Sequence, residues 1–365
     1  MNVDAVHSNF VALCDEPACL FPSRPQPENL VGHTSSVCAV LAHDDRYLVS
    51  CSIDGSVKVW SRINFMCLHT LFGHDDTVSC VDLNTKWLVS GSHDKTLRLY
   101  SCLHSFKLLH ICSGHTGHVT RVHLPSSLSS HILSCSDDTT MRLWNGDTGV
   151  CLAVLRGHTS RITSFLFFHG SRLCSGSAEG SICFWDVASD NQHEPHQQYR
   201  AIKSFRPHKS TIQCLASSAS DDESWIFSAS SDGSVQIFHA KTMEHCGCFD
   251  QLQSPIYTML ALSSGKLLCS TGDGRVVIYS DLPHGMHQSA AFSMTAFAKW
   301  ISSVQLRGDL LACSSEDLLY VVDLDKCHVL VVIETRHGFV NSLSWLQATR
   351  LLTAGQDNVI KIWNT

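Results

Sequence analysis

The segment Ser50-Cys-Ser-Ile-Asp54-Gly-Ser-Val-Lys-Val-Trp60 returns along this chain, and that repetition constrains the fold more than any other feature. It returns as Ser90-Gly-Ser-His-Asp94-Lys-Thr-Leu-Arg-Leu-Tyr100 and as Ser134-Cys-Ser-Asp-Asp138-Thr-Thr-Met-Arg-Leu-Trp144. Further copies are Ser175-Gly-Ser-Ala-Glu179-Gly-Ser-Ile-Cys-Phe-Trp185 and Ser228-Ala-Ser-Ser-Asp232-Gly-Ser-Val-Gln-Ile-Phe238, and weaker ones end at Tyr279, Val322 and Trp363. From Trp60 onward the spacings are 40, 44, 41, 53, 41, 43 and 41 residues. A single core rarely grows past ~250–300 residues, but a repeat architecture escapes that limit because each unit packs only on its neighbours.

Each unit reads as four short strands. In the second unit Val78–Asp82 is the inner strand, followed by Trp87–Ser90, Thr96–Tyr100 and an outer strand at Lys107–Ile111. Between the second and third strands lies His93-Asp94-Lys95, a tight turn of the kind Asp favours. Gly-His pairs open the first four units at His33, His74, His115 and His158; His208 opens the fifth, and His337 stands near the opening of the last. Leu252 and Phe297 occupy that place in units six and seven. Four-stranded units at this period make propeller blades, so the chain reads as an all-β propeller of eight blades, with seven as the alternative because units six and seven are degenerate. The last unit stops after its third strand, at Trp363-Asn-Thr365. The run Glu28–Val31 sits where the other units carry an outer strand, and is expected to pair with the last blade and close the ring. Residues 1–27 then form a leader, extended or disordered because four residues from Pro17 to Pro27 are proline, and residues 28–365 form the propeller.

Composition narrows the function classes. Hydrophobic residues are 44% and charged residues 16%, which is globular. The net charge of −7 disfavours direct binding of nucleic acid or of an anionic membrane. No apolar stretch approaches ~18 residues, so no membrane span is expected, and Met1-Asn-Val-Asp does not begin a signal peptide. The 18 cysteines lie singly in apolar runs, without a CxxC, and the pairs Cys14/Cys19 and Cys246/Cys248 match no zinc spacing. They read as small core hydrophobes of a reducing compartment, cytoplasmic or nuclear. His193 and His196, in a polar stretch at 187–200, lack a third ligand. No metal or cofactor is expected.

The repeated His, Ser, Asp and Trp are the residues most easily mistaken for catalytic groups. The candidate sets are His33, Ser50, Asp54 and Trp60; His74, Ser90 and Asp94, with Tyr100 for Trp; His115, Ser134, Asp138 and Trp144; and His158, Ser175 and Trp185, with Glu179 for Asp. Asp232 is the turn carboxylate of the fifth unit. An unpaired buried polar group costs ~1–3 kcal/mol, so a hydrogen-bonded set pinning the turn to the strands has a structural purpose. Five catalytic sites in one chain are implausible, whereas five identical staples are what a repeat requires.

Partner-binding residues are expected at the top mouth of the channel. Side chains alternate along a strand, so the residues flanking the buried apolar start of each inner strand share a face, and the residue before each turn carboxylate joins them. This selects Ile53, His93, His118, Arg161, Gln213, Tyr257, Trp300, Phe339, Asn341 and Gln356. Aromatic anchors ringed by small polar groups suit a protein or peptide partner.

On the Gly-His openings, the turn carboxylates and the blade-end Trp, residues 28–365 resemble a WD-repeat propeller. In that family the four residue types form a hydrogen-bonded network. The short connection in Val78-Ser-Cys-Val-Asp-Leu-Asn-Thr-Lys-Trp-Leu-Val-Ser resembles in particular the propellers of F-box/WD-repeat proteins. The resemblance implies a non-catalytic scaffold or substrate adaptor in a larger complex, in ubiquitin transfer if it extends that far. Alternatives are a subunit of an RNA-processing or chromatin complex and a propeller enzyme acting on a small molecule. Two departures bear on it. An F-box needs ~40–50 helical residues, whereas 27 Pro-broken residues precede the propeller, and the positions where relatives carry phosphate-binding arginines hold Cys38, Ser79, Thr120 and Thr163.

Overall fold

Short apolar runs separated by Asp, Gly and Ser turns leave each segment long enough for one strand and too short for a helix of useful length. A computed structural model describes residues 26–43, 46–125, 130–168, 170–187, 197–218, 224–249, 252–262, 266–279, 292–295, 301–324, 326, 328–347 and 349–364. The strands form eight sheets, antiparallel but for one added strand in the third. Blade 1 is built from Val37–His43, Tyr47–Ser52, Val57–Ser61 and Cys67–Leu71, counted outward from the channel. Blade 2 repeats this with Val78–Leu83, Trp87–Ser92, Thr96–Ser101 and Lys107–Ser113. The inner strands of blades 3 to 7 are Val119–His123, Ile162–Phe168, Ile212–Ser218, Ile256–Ala261 and Ser303–Arg307.

The eighth blade is made from both ends of the propeller sequence. Val340–Gln347, Arg350–Gly355 and Val359–Asn364 supply three strands, and Glu28–Val31 pairs antiparallel with the last of them, Leu30 opposite Ile360. Leu30 is 3% exposed and packs with Val37, Val40, Leu352 and Ile360, so the first strand is held by apolar burial as well as by its ladder.

The core is divided among the seams between blades. Eight apolar clusters are present, each joining one blade to the next around the ring. Val49, Val57 and Val59 of blade 1 meet Val78, Val81 and Leu88 of blade 2, and Leu268 and Val276 of blade 6 meet Val304 and Leu311 of blade 7. The degenerate sixth and seventh units are therefore complete structural members, and the ring has eight blades.

The polar stretch at 187–200 departs from expectation. Its polar composition suggests no strand, but Gln197–Arg200 is one that runs parallel to Cys151–Arg156 and gives blade 3 a fifth strand. The chain then returns through Lys203–Phe205 to finish blade 4. Burial had little to announce this strand, because Gln197-Gln-Tyr-Arg200 adds to an outer edge through backbone bonds. The expectations for His193, His196, Trp300, Phe297, Cys14 and Cys19, and for most of the leader, lie outside the described residues.

Candidate functional site: the channel and its mouth

Each opening loop and each second-to-third-strand turn meet at one end of the channel, the top. In blade 1, His33 Nδ1 lies 2.9 Å from Asp54 Oδ2 and Nε2 lies 2.8 Å from Ser50 Oγ, while Trp60 Nε1 donates to Ser50 Oγ at 2.9 Å. One assignment satisfies every atom: Trp60 N–H donates to Ser50, the Ser50 hydroxyl donates to Nε2, and Nδ1–H donates to Asp54. The histidine is then neutral. Burial pushes His33 below its ordinary pKa, against the pull of Asp54. Burial alone would raise Asp54, but donors from Ser56, the Thr34 N–H and His33 hold it at about 2.

The same set recurs. His115 lies 2.8 Å from Asp138 and 2.7 Å from Ser134, with Trp144 donating to Ser134 at 2.8 Å. His74 reaches Asp94 at 2.6 Å and Ser90 at 2.8 Å, but the buried Tyr100 hydroxyl approaches Ser90 and Arg98 without closing a hydrogen bond. In blade 4 the longer Glu179 turns to the Thr159 N–H at 3.0 Å. His158 Nδ1 instead meets Ser181 at 2.8 Å, and Ser181 donates to Glu179 at 2.9 Å. His158 Nε2 meets Ser175 at 2.7 Å, and Trp185 donates to Ser175 at 2.9 Å. Asp232 stands 3.5 Å from His208, which bonds Ser234 at 2.8 Å and Ser228 at 2.7 Å.

Two kinds of member were missed in the sequence. The last blade carries a full set, with His337 bonded to Asp357 at 2.5 Å and Thr353 at 2.7 Å, and Trp363 donating to Thr353 at 2.8 Å. The other is the hydroxyl two residues past the turn carboxylate. Ser56, Thr96, Thr140 and Ser234 each donate to that carboxylate at 2.6 to 2.7 Å. Its signal was in plain view, as the recurring Ser or Thr of Asp-Gly-Ser and Asp-Lys-Thr.

The mouth residues fall into groups. His93 and His118, from blades 2 and 3, stack with ring centroids 4.5 Å apart, and His118 Nδ1 stands 3.5 Å from Asp137. Ile53 is 50% exposed, Arg161 and Gln356 are exposed, and Phe339 is half-buried. Gln213 donates to Ser231 at 2.7 Å. Tyr257 lies on Gly272, where a Cβ would come within 3.0 Å of the ring. Asn341 is directed across the closing seam, donating to Ser36 Oγ at 3.0 Å and to the Val37 carbonyl at 2.9 Å.

Asn341 belongs to a pattern that strict alternation did not anticipate. The first ladder of seven blades shifts register at the same place, one residue into the inner strand, as between Val37 and Ala39 or Val340 and Ser342. Blade 7 shows no such shift. A bulge re-aims the extra side chain. Ser79 donates to the carbonyl of Val119 at 2.6 Å, Thr163 to that of Ile212, and Ser302 of blade 7 to that of Val340 at 3.2 Å. Each acceptor begins the inner strand of the next blade, so these side chains tie blade to blade. The residue after the bulge packs on the next blade in blades 2 and 8, where Cys80 joins Val119 and Val122 and Ser342 bonds Val40, whereas in blade 3 it is exposed and lines a cavity with Thr120. In blade 3 that residue is Arg121, which strict alternation had not selected.

A model of the WD domain, G-beta repeat, matches six segments, residues 25–61, 65–101, 106–145, 149–186, 199–239 and 329–364, more than half of the chain. The chain belongs to the WD-repeat family. Among WD-repeat relatives it is similar to the cell division control protein 4 of Saccharomyces cerevisiae, 26% identical over 81% of this chain and 42% of that protein. It is likewise similar to the ribosome biogenesis protein WDR12 homolog of Arabidopsis thaliana, 24% identical over 79% of this chain and 73% of the relative. The chain spans 17% to 42% of the length of three curated relatives, the yeast protein among them. The crystal structure of the computationally designed Ika8 protein shares the fold, with a TM-score of 0.78 and 20% identity over 92% of this chain and 98% of that one. The two blades without a matched segment are six and seven, whose opening histidines are absent. Among the described residues, no helix is long and apolar enough to cross a membrane.

Proposed function

We propose that this WD-repeat propeller is a non-catalytic adaptor that holds a protein or peptide partner at the top mouth of its channel. One observation carries the reading: each of the six network histidines has both ring nitrogens engaged by its own blade. A catalytic triad pairs its histidine in the same way, but here the hydroxyl partners Ser50, Ser90, Ser134, Ser175, Ser228 and Thr353 are fully buried, out of a substrate's reach, which favours a structural role for these sets. What faces outward at the mouth is the His93–His118 stack, Ile53, Arg161 and Gln356, a mixed surface of the kind proteins bind. The finer proposal is substrate capture in a ubiquitin-ligase setting. It is supported by the short strand connections that resemble F-box/WD-repeat propellers.

A second reading places the chain in an RNA-processing or ribosome-assembly complex. The match to the WDR12 homolog favours it, because that similarity spans most of both chains. Affinity purification of the tagged protein with quantitative mass spectrometry separates the two. Recovery of ubiquitin-ligase subunits supports the first setting, and recovery of pre-ribosomal proteins replaces it with the second. In either case the double variant His93→Ala/His118→Ala loses the partner and His74→Ala retains it at permissive temperature. Partners indifferent to the mouth variant, or none enriched over a control propeller, overturn the adaptor reading.

A further inference from the structure

Among the described residues, the cation Arg121 lines the channel with nothing around it to answer its charge. Arg121 follows the bulge of the blade 3 inner strand and lines a cavity with Thr120. The corresponding residues of other blades are small and neutral, among them Ala39, Cys80, Cys214, Thr258 and Ser342. Arg121 is exposed, and among the described residues its guanidinium makes no hydrogen bond, ion pair or ring contact. The pair below it is closed: His123 Nδ1 lies 2.9 Å from Asp82, which also accepts the Leu124 N–H at 2.8 Å. The positive charge of Arg121 is felt by the thiols of Cys80, Cys135 and Cys214, on blades 2, 3 and 5, where it opposes the rise that burial imposes on each. Arg121 lines one cavity together with Ala39, Ser79, Phe165 and Phe167, where the inner strands of blades 1 to 4 face each other.

The cavity has a volume of about 470 Å³. Ala39, Ser79 and Cys80 wall it toward blades 1 and 2, and Phe165 and Phe167 wall it toward blade 4. The His123 ring, 6.0 and 5.8 Å from those two phenylalanines, completes an aromatic lower wall. This combination has a chemical preference. A guanidinium presents two parallel N–H donors that match one carboxylate. A phosphate would bring a second negative charge to a cavity whose Ser79 and Thr120 hydroxyls already donate to the Val119 and Cys135 carbonyls, whose His123 is held by Asp82, and whose lining includes no second lysine or arginine. Arg121 lies three residues along the strand from His118, ~10 Å below the mouth at ~3.3 Å per residue. A group must be lowered into the channel to reach it.

We propose that Arg121 is the receptor for a carboxylate carried by a peptide segment that inserts into the channel, its apolar neighbours packing on Phe165 and Phe167. The site rests on the adaptor reading above and specifies the chemistry of the partner. The carboxylate belongs to an Asp or Glu side chain or to a chain terminus.

The test selects short random peptides, synthesised with free and with amidated C-termini, on the immobilised full-length protein. Selected peptides are then measured by fluorescence anisotropy against wild type, Arg121→Ala and Arg121→Gln. Selection should enrich an acidic group beside apolar residues, and binding should weaken roughly 10- to 100-fold in Arg121→Ala. Replacing the peptide's Glu by Gln, or its Asp by Asn, should weaken binding similarly, and the two losses should not add. If amidation alone abolishes binding, the ligand is a chain terminus; if it has no effect, the ligand is a side chain. Exchanging the acid for phosphoserine should give no gain. Since the Arg121 guanidinium makes no hydrogen bond, ion pair or ring contact among the described residues, its variants should melt with wild type, so lost binding cannot be ascribed to unfolding. Peptides that lack an acid or bind Arg121→Ala equally well overturn the inference and leave the adaptor reading standing, and a selection that yields no peptide also overturns it. The adaptor reading falls separately, with the mouth-variant purification.

Discussion

The side-chain amide of Asn341 donates to the backbone carbonyl of Val37 at 2.9 Å, joining residues 304 positions apart across the seam where the ring closes. The same amide reaches Ser36 at 3.0 Å, and Ser342 accepts from the Val40 N–H at 3.2 Å. Asn341→Ala leaves the Val37 carbonyl without this donor and should cost about 1–3 kcal/mol. Urea denaturation monitored by tryptophan fluorescence checks this. A change within error would mean that the seam is held by Leu30 and its apolar neighbours alone.

Backbone strain at one turn gives a prediction of the opposite sign. The residue after the turn carboxylate adopts a positive φ in every network blade. Glycine fills it in blades 1, 4 and 5, at Gly55, Gly180 and Gly233, with φ from 76° to 84°. Blade 3 has Thr139 there, at φ 69°. A β-branched residue is costly in this conformation, by ~1–2 kcal/mol, whereas glycine adopts it freely. Glycine gives back part of that gain through a more flexible unfolded chain. Thr139→Gly should therefore stabilise the propeller by roughly 0.5–1 kcal/mol, read as a rise in urea midpoint at constant slope. A lower midpoint would show that the Thr139 side chain contributes more than its strain costs.

The network sets the pH dependence. Burial lowers the pKa of His33, His74, His115, His208 and His337, with partial recovery from their carboxylates, and brings His158 to about 4. The folded state keeps these rings neutral, while the unfolded chain protonates them near ~6.5. Below that pH the unfolded state binds protons that the folded state refuses, so stability falls as pH drops from ~6.5 toward about 4. For His158 alone the loss is on the order of 3 kcal/mol at the bottom of that window. The carboxylates act in a separate, lower range. Asp54, held at about 2, contributes above the usual carboxylate pKa and loses that contribution as pH falls toward 2. Denaturation midpoints at stepped pH should decline in two stages. His158→Gln should flatten the first stage, and a constant midpoint between pH 7 and pH 5 would contradict the assignment of neutral buried histidines.

The repeat made the blades legible, since its period, opening histidines and turn carboxylates all report on local structure. Ring closure was legible too, because a four-stranded unit that ends after its third strand must borrow the fourth. What escaped depended on backbone register. A bulge inserts one residue without any compositional mark, so Asn341 reads as a mouth residue by alternation while its amide turns to Val37, and Arg121 is not selected at all. The strand Gln197–Arg200 escaped for a related reason: pairing at an outer edge asks for no apolar pattern. In the last blade, Thr353 in place of the usual serine and a shortened opening loop obscured a network as complete as that of blade 1.

Partners are proposed to be held at the top of the channel, and cross-linking mass spectrometry of complexes purified with the full chain locates them. Lys95 and Lys209 lie beside the mouth, in a turn next to a network carboxylate and in an opening loop, whereas Lys86, Lys241 and Lys326 lie in connections at the opposite end. Lysine cross-links to partner proteins are expected at Lys95 and Lys209. Cross-links confined to Lys86, Lys241 and Lys326 would contradict that placement.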